Sequence, residues 1–251
     1  MSSSWPLLVG HARAHHATIT WSDARGLGIS ARQITSWTAA GRLVHAAPNV
    51  YVVAGAPTTW RQRLSVAAGS SGGWASHRAA AALWGLDGFS PRQIEVLVPY
   101  GLRRRRPGWI VHESRSIRGV DLDEVDDIPC TSVVRTILDL AAVAHPFRVA
   151  QALDHASRRW PGTLAAVDRR HAELRRKGRR GCRLMSDLLD ERLGRGRYTD
   201  SDFESKTVRL VRSIGLPEPE LQQTARELLE LYRDRERSFL SDPRYRIGPE
   251  R

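Results

Sequence analysis

Residues 20–53 (TWSDARGLGISARQITSWTAAGRLVHAAPNVYVV) most constrain what this chain can fold into. Thr20 with Asp23 and Ser30 with Gln33 have capping-box spacing, in which paired side chains satisfy the free N–H groups that open a helix. Gly26, Leu27 and Gly28 lie between the two boxes and supply a tight turn. Ile29 and Ile34 make a hydrophobic staple across the second cap, and Trp37, three residues after Ile34, shares its inward face. Arg32, Gln33, Thr35 and Ser36 are left facing outward, all types that bond phosphate oxygens or base edges. Gly41 ends the helix, and Arg42 follows it. The β-rich runs 43–45 and 50–53 are joined by Ala46, Ala47, Pro48 and Asn49, which suit a hairpin turn. Two capped helices followed at once by a hairpin is the pattern of a winged helix-turn-helix. It predicts binding to double-stranded DNA through Arg32, Gln33, Thr35, Ser36 and Arg42. A small helical bundle whose hairpin binds nothing satisfies the same pattern, because a fold does not specify its use.

Charge points the same way. The chain of 251 residues carries 39 Lys and Arg against 27 Asp and Glu, a formal net charge of +12. Such an excess favours a polyanionic partner, most often nucleic acid, although an arginine-rich genome produces it too. The two cysteines, Cys130 and Cys182, stand in unrelated contexts, so neither a disulfide framework nor a zinc site is indicated. No metal or cofactor is expected. The first ten residues lack the charged start and apolar core of a signal peptide, and no apolar run reaches membrane-spanning length. A cytoplasmic protein with no membrane partner is the expectation.

Along the rest of the chain, residues 5–16 read as a first helix, with adjacent His15 and His16 solvated. Thr58 opens a helix over 60–68, and Gly69, Ser70, Ser71, Gly72 and Gly73 read as a flexible joint. Ser76 caps an alanine-rich helix that ends at Gly85 and whose small side chains allow close packing. Strand-like runs 94–98 and 109–112 flank Arg103, Arg104, Arg105 and Arg106, on a hairpin loop that is either a solvated turn or a phosphate-contacting finger. Asp121, Asp123, Glu124, Asp126 and Asp127 read as a solvated strand edge. Thr131 or Ser132 caps a helix whose buried stripe is Val134, Ile137, Leu138 and Ala141, with Arg135 and Asp139 forming an i,i+4 clamp. Residues 169–183 (RRHAELRRKGRRGCR) are strongly basic, either a solvated helix-loop-helix or a nonspecific phosphate contact.

Two segments, residues 74–86 (WASHRAAAALWGL) and 128–140 (IPCTSVVRTILDL), together resemble the AbiEi family of antitoxins and transcriptional regulators from type IV toxin–antitoxin systems. The resemblance covers roughly residues 6–158. It implies a winged helix that binds the operon's own promoter, an α/β domain needed for antitoxin action, and a cognate toxin with a nucleotidyltransferase-like fold. Residues 198–223 resemble the opening helix of an endonuclease-like domain related to very-short-patch-repair enzymes, and Glu204 stands where that fold places an acidic residue. Metal-dependent cleavage needs further carboxylates on following strands; residues 224–238 read instead as a polar helix. The tail therefore reads as a truncated nuclease remnant without catalysis.

The expected class is α+β: a winged helix-turn-helix over 1–56, a mixed α/β domain over 57–160, a basic helical segment over 161–197 and a remnant over 198–251. The expected function is a promoter-binding repressor and antitoxin, oligomeric on DNA where the operator demands it. A repair-type DNA endonuclease is the alternative, and a protein-interaction module with an incidental basic surface is a third.

Overall fold

The computed structural model describes residues 4–102 and 107–195. Arg103, Arg104, Arg105 and Arg106, and the whole tail with Glu204, lie outside the described residues. The fold is mixed α+β and contains two sheets.

The first sheet has three strands. Helix α1 (Ser4–Ala14) places Leu8 and Ala12, one turn apart, into the core. Strand β1 (Thr18–Thr20) runs directly into α2 (Trp21–Gly26), and α3 (Ala31–Ala39) follows after a turn in which Gly28 takes φ +73. Both capping boxes form with reciprocal bonds, Thr20 with Asp23 and Ser30 with Gln33. Strands β2 (Leu43–Ala47) and β3 (Val50–Val53) make an antiparallel hairpin whose tip uses Asn49 at φ +62. β1 pairs with the other edge of β3, giving the order β1-β3-β2. Leu8, Ile19, Ala24, Ile29, Ile34 and Leu43 close this core, with Trp5 and Trp37 edge to face at 5.1 Å beside it.

Helix α4 (Trp60–Ser71) connects the two sheets, since Val66 packs with Ala47 and Val50 while Leu64 and Ala67 enter the next core. Thr59, not Thr58, caps it. The expected flexible joint over 69–73 is corrected: residues 69–71 continue the helix, Ser71 Oγ donates to Ala67 O at 2.7 Å, and Gly72 ends it at φ +64. Gly72 and Gly73 are a helix stop and a close approach, not a hinge.

The second sheet has the order β6-β5-β4-β8-β7, formed by β4 (Trp74–Ala75), β5 (Glu95–Pro99), β6 (Ile110–Ser114), β7 (Leu122–Val125) and β8 (Ile128–Thr131). β5 and β6 pair in parallel, Glu95 opposite Ile110 and Leu97 opposite His112. The hairpin expected between them is therefore a crossover. Both kinds of pairing draw on β-branched and apolar residues, and a run as short as residues 109–112 does not separate them. Val96, Val98 and Val111 fill a core shared with Leu64, Ala75, Ala79 and Ile128, while Glu95 alternates onto the other face. Helices α5 (His77–Leu83), α6 (Val133–Leu140), α7 (Pro146–Arg159), α8 (Thr163–Leu174) and α9 (Cys182–Arg192) build the remaining layer around Ile137, Leu140, Val149, Leu153, Val167 and Leu189. No helix among the described residues is long and apolar enough to cross a membrane.

Candidate functional site

Two regions hold side chains whose placement needs a functional explanation. The first is the outer face of α3. Ile34 is buried and Trp37 half-buried, so helical geometry turns Arg32, Thr35 and Ser36 outward, and all three are exposed. Gln33 is only half exposed, because its Oε1 accepts from the Ser30 N–H and hydroxyl at 2.9 Å each. That leaves its amide NH2 as the one group able to reach a partner. Arg42 is exposed beyond the helix end, its guanidinium 5.1 Å from the Trp5 ring centre. On the hairpin, Val44 and His45 are both exposed, on opposite faces of β2.

The second region is a buried polar centre, which the sequence only partly revealed. Arg135 was legible as the partner of Asp139 at i,i+4, and its Nε donates to Asp139 Oδ2 at 2.8 Å. It is not a surface clamp: Arg135 is 2 % exposed. Its other nitrogens donate to Ser116 O at 2.7 Å, Ser114 Oγ at 3.1 Å and Asp121 Oδ2 at 3.2 Å. Asp121, expected on a solvated edge, is 1 % exposed and holds Arg170 at 2.6 Å as well. Arg170 and Arg179 likewise leave the basic segment and turn inward, Arg179 reaching Asp139 Oδ1 at 3.3 Å. Burial alone would push the Asp121 carboxyl up; hydrogen bonds from Arg170 and the Arg118 N–H, with the Arg135 charge, bring it below the usual carboxylate range.

Next to this lattice sit His77, Glu95 and His112, none of which the sequence reading selected as site residues. A carboxylate inside the apolar run Ile94–Glu95–Val96–Leu97–Val98 was the available signal, because an unpaired charge is not tolerated there. Glu95 is fully buried and is held by Arg78 at 3.0 Å and His112 Nε2 at 2.8 Å. Burial raises its proton affinity, and the bonds from His112 and Arg78 more than reverse that, so its carboxyl lies low. His77 stacks on His112 with ring centres 3.5 Å apart and 20° between planes. It takes φ +51, a left-handed backbone uncommon outside glycine that histidine adopts more readily than most residues. Ser76 stands at the N-cap of α5 but makes no capping bond; its hydroxyl lies 2.9 Å from His77 Nδ1 instead.

Ligand atoms of His77, Glu95 and His112 lie within 4.8 Å of one another. The stack does not chelate as it stands. Planes 3.5 Å apart and tilted by 20° meet only about 10 Å away, far beyond the 2.0–2.1 Å of a metal–imidazole bond. Instead His112 is hydrogen-bonded to Glu95, and His77, stacked on His112, bonds the Ser76 hydroxyl; burial first, and then the neighbouring His112, hold His77 well below its ordinary 6.5.

A pH dependence follows. With its folded value lowered, His77 stays neutral while the unfolded chain takes up a proton, so stability falls as pH drops below 6.5. The slope from one such group approaches about 1.4 kcal/mol per pH unit. His77→Asn, which tolerates the left-handed backbone, is expected to flatten part of this fall between pH 6.5 and 5; His171, also lowered by burial, keeps the remainder. Urea midpoints across that range measure it, and an unchanged slope in the variant would show that His77 titrates normally.

Searched against protein families the chain matches none, and no curated protein matches it. What these two regions do is a question for their geometry and charge.

Proposed function

We propose that this chain is a DNA-binding regulator whose N-terminal part is a winged helix-turn-helix, with α3 as the helix that enters the major groove and the β2–β3 hairpin as the wing. The observation that supports this most is the division of α3. One face is fixed by a capping box, Ile34 and Trp37, and the opposite face presents Arg32, Thr35 and Ser36, whose side chains have no partner among the described residues. A rigid helix with a polar, outward N-terminal half is what base-edge reading requires. The net charge of +12 supplies the nonspecific attraction to phosphate. Together with the likeness of residues 74–86 and 128–140 to AbiEi proteins, this favours an antitoxin-type repressor of its own promoter. A nucleotidyltransferase-like toxin would then be its partner.

Arg32→Ala tests the reading. It is expected to weaken binding to the DNA upstream of its own gene by about 1–3 kcal/mol while leaving unrelated duplex of equal length nearly unaffected, because base contacts discriminate and phosphate contacts do not. Mobility shifts at fixed salt give the comparison. Thr35→Ala and Ser36→Ala should fall in the same class with smaller losses. Equal losses on both DNAs would reduce α3 to a backbone contact, and no binding of either would end the proposal.

A further inference from the structure

We infer that the cavity over the buried polar centre binds a small phosphorylated ligand of mononucleotide size. The cavity measures about 530 Å³ and is walled by β6, α6 and the turn before α9. That volume lies within the range of small-ligand sites and well above what one free phosphate fills. The site is separate from α3, and the inference does not depend on DNA binding.

Charge comes first. The buried lattice sets Arg135, Arg170 and Arg179 against Asp121 and Asp139, leaving one cation in excess. Glu173 pairs with both Arg170 and Arg118, so counting Arg118 and Glu173 gives four arginines against three carboxylates, the same excess. Arg179 shares Asp139 with Arg135 and so has half a counter-ion. At the mouth, Arg176 and Arg180 are exposed, and their side chains make no hydrogen bond or ion pair among the described residues. Glu113 also lines the cavity and accepts from the Gly101 N–H at 2.9 Å. The lining still carries more guanidinium than carboxylate, in fork geometry suited to phosphate.

The second observation is a ring nitrogen without a protein partner among the described residues. His77 lines the cavity, is 5 % exposed, and its Nε2 makes no hydrogen bond among the described residues. Ser76 could have capped α5, as Thr20, Ser30, Thr59 and Ser132 cap their own helices. A cap is worth about 0.5–2 kcal/mol. Ser76 instead holds the His77 ring, and the backbone there accepts a left-handed conformation. His16, Ala17, Asn49, Asp126 and Asp127 share the left-handed backbone, so it is the forgone cap and the ring held by Ser76 that single out this side chain as positioned. In the tautomer in which the Ser76 hydroxyl donates to Nδ1, the neutral ring carries its proton on Nε2 and can offer it to a phosphate oxygen. Tyr100 and Arg115 complete the wall, the guanidinium 3.9 Å from the ring centre, a platform of the sort on which bases stack. A duplex lying across the surface reaches Arg176 and Arg180 but not the recessed His77 and Arg135. A small ligand reaches both.

The test is calorimetric titration of the full chain with the ribonucleoside mono- and triphosphates, the unphosphorylated nucleosides, and inorganic phosphate, at one ionic strength. A nucleoside phosphate is expected to bind at least tenfold tighter than inorganic phosphate, and the nucleosides not at all. Arg176→Gln combined with Arg180→Gln should weaken that binding at least tenfold with the unliganded melting temperature unchanged, since neither side chain has a partner to lose among the described residues. His77→Asn should weaken it with both arginines in place. Failure of every nucleoside phosphate to exceed inorganic phosphate overturns the inference, and so does full affinity in the double arginine variant. Loss of duplex DNA binding in that variant, without nucleotide binding by the wild-type chain, would make the cluster a DNA backbone contact and overturn it equally.

Discussion

Arg135→Ala is expected to destabilise the chain by about 3–5 kcal/mol, the usual cost of removing one partner from a buried ion network. Four acceptors lose their donor at once: Asp139, Asp121, Ser116 O and Ser114 Oγ. Asp121 retains Arg170, but Asp139 is left with Arg179 at 3.3 Å in a site where burial already pushes its carboxyl up. The methylenes of Arg135 also leave a void beside Leu138. For a folded unit of this size the loss should lower the melting temperature by on the order of 10 °C. Arg135→Lys keeps the charge and loses the fork, so it should fall between wild type and alanine. Adding Asp139→Asn to the alanine variant removes the stranded charge, and the pair should be less destabilised than the two singles summed. A single-variant loss under about 1 kcal/mol would place this network among solvated surface pairs.

That network marks the limit of what local pattern reveals. Caps and turns are written within four residues, so Thr20 with Asp23, Ser30 with Gln33, Gly28 and Gly41 all stand where their spacing puts them. The cap of α6 by Ser132 and the Arg135–Asp139 pair are equally local. Asp121 and Arg170 meet across 49 positions, and no periodicity joins them. Inside a basic run every arginine looks solvated, yet Arg170 is 6 % exposed while its neighbour Arg169 is exposed. β1 is three residues long and is recruited by β3, so its strand character comes from pairing and not from its own composition. His77, Glu95 and His112 are assembled by β4, β5 and β6 together; their meeting depends on a parallel register that the strands do not announce. The sequence-derived α3 residues are the opposite case. Their exposure follows from one helix, and only Gln33 is compromised, by the cap that its own spacing predicted.

Gly73→Ala is expected to cost about 3 kcal/mol or more, at the upper end for overpacking, because the added atom meets backbone. A Cβ at Gly73 would lie 2.3 Å from Leu97 O and 2.7 Å from Val98 Cγ1. Val98 can turn away. Leu97 O cannot, since Trp74 is registered opposite Leu97 in the central pairing of the sheet. The chain must therefore move β4 off β5, and β4 is the strand that joins β5 and β6 to β8 and β7. His77 follows β4 by one residue, whereas Glu95 and His112 belong to β5 and β6, so the same displacement pulls His77 off the ring on which it stacks. Gly72→Ala is the control one position earlier. It has φ +64 with nothing within 4 Å of the added Cβ, and should cost only the left-handed penalty of roughly 1–2 kcal/mol. Val98→Ala in the Gly73→Ala background should fail to restore stability, because the carbonyl clash persists. Denaturant melts of the three variants decide it. A Gly73→Ala chain no weaker than Gly72→Ala would show that β4 has room against β5, and that the register holding His77 over His112 is looser than the packing of this sheet implies.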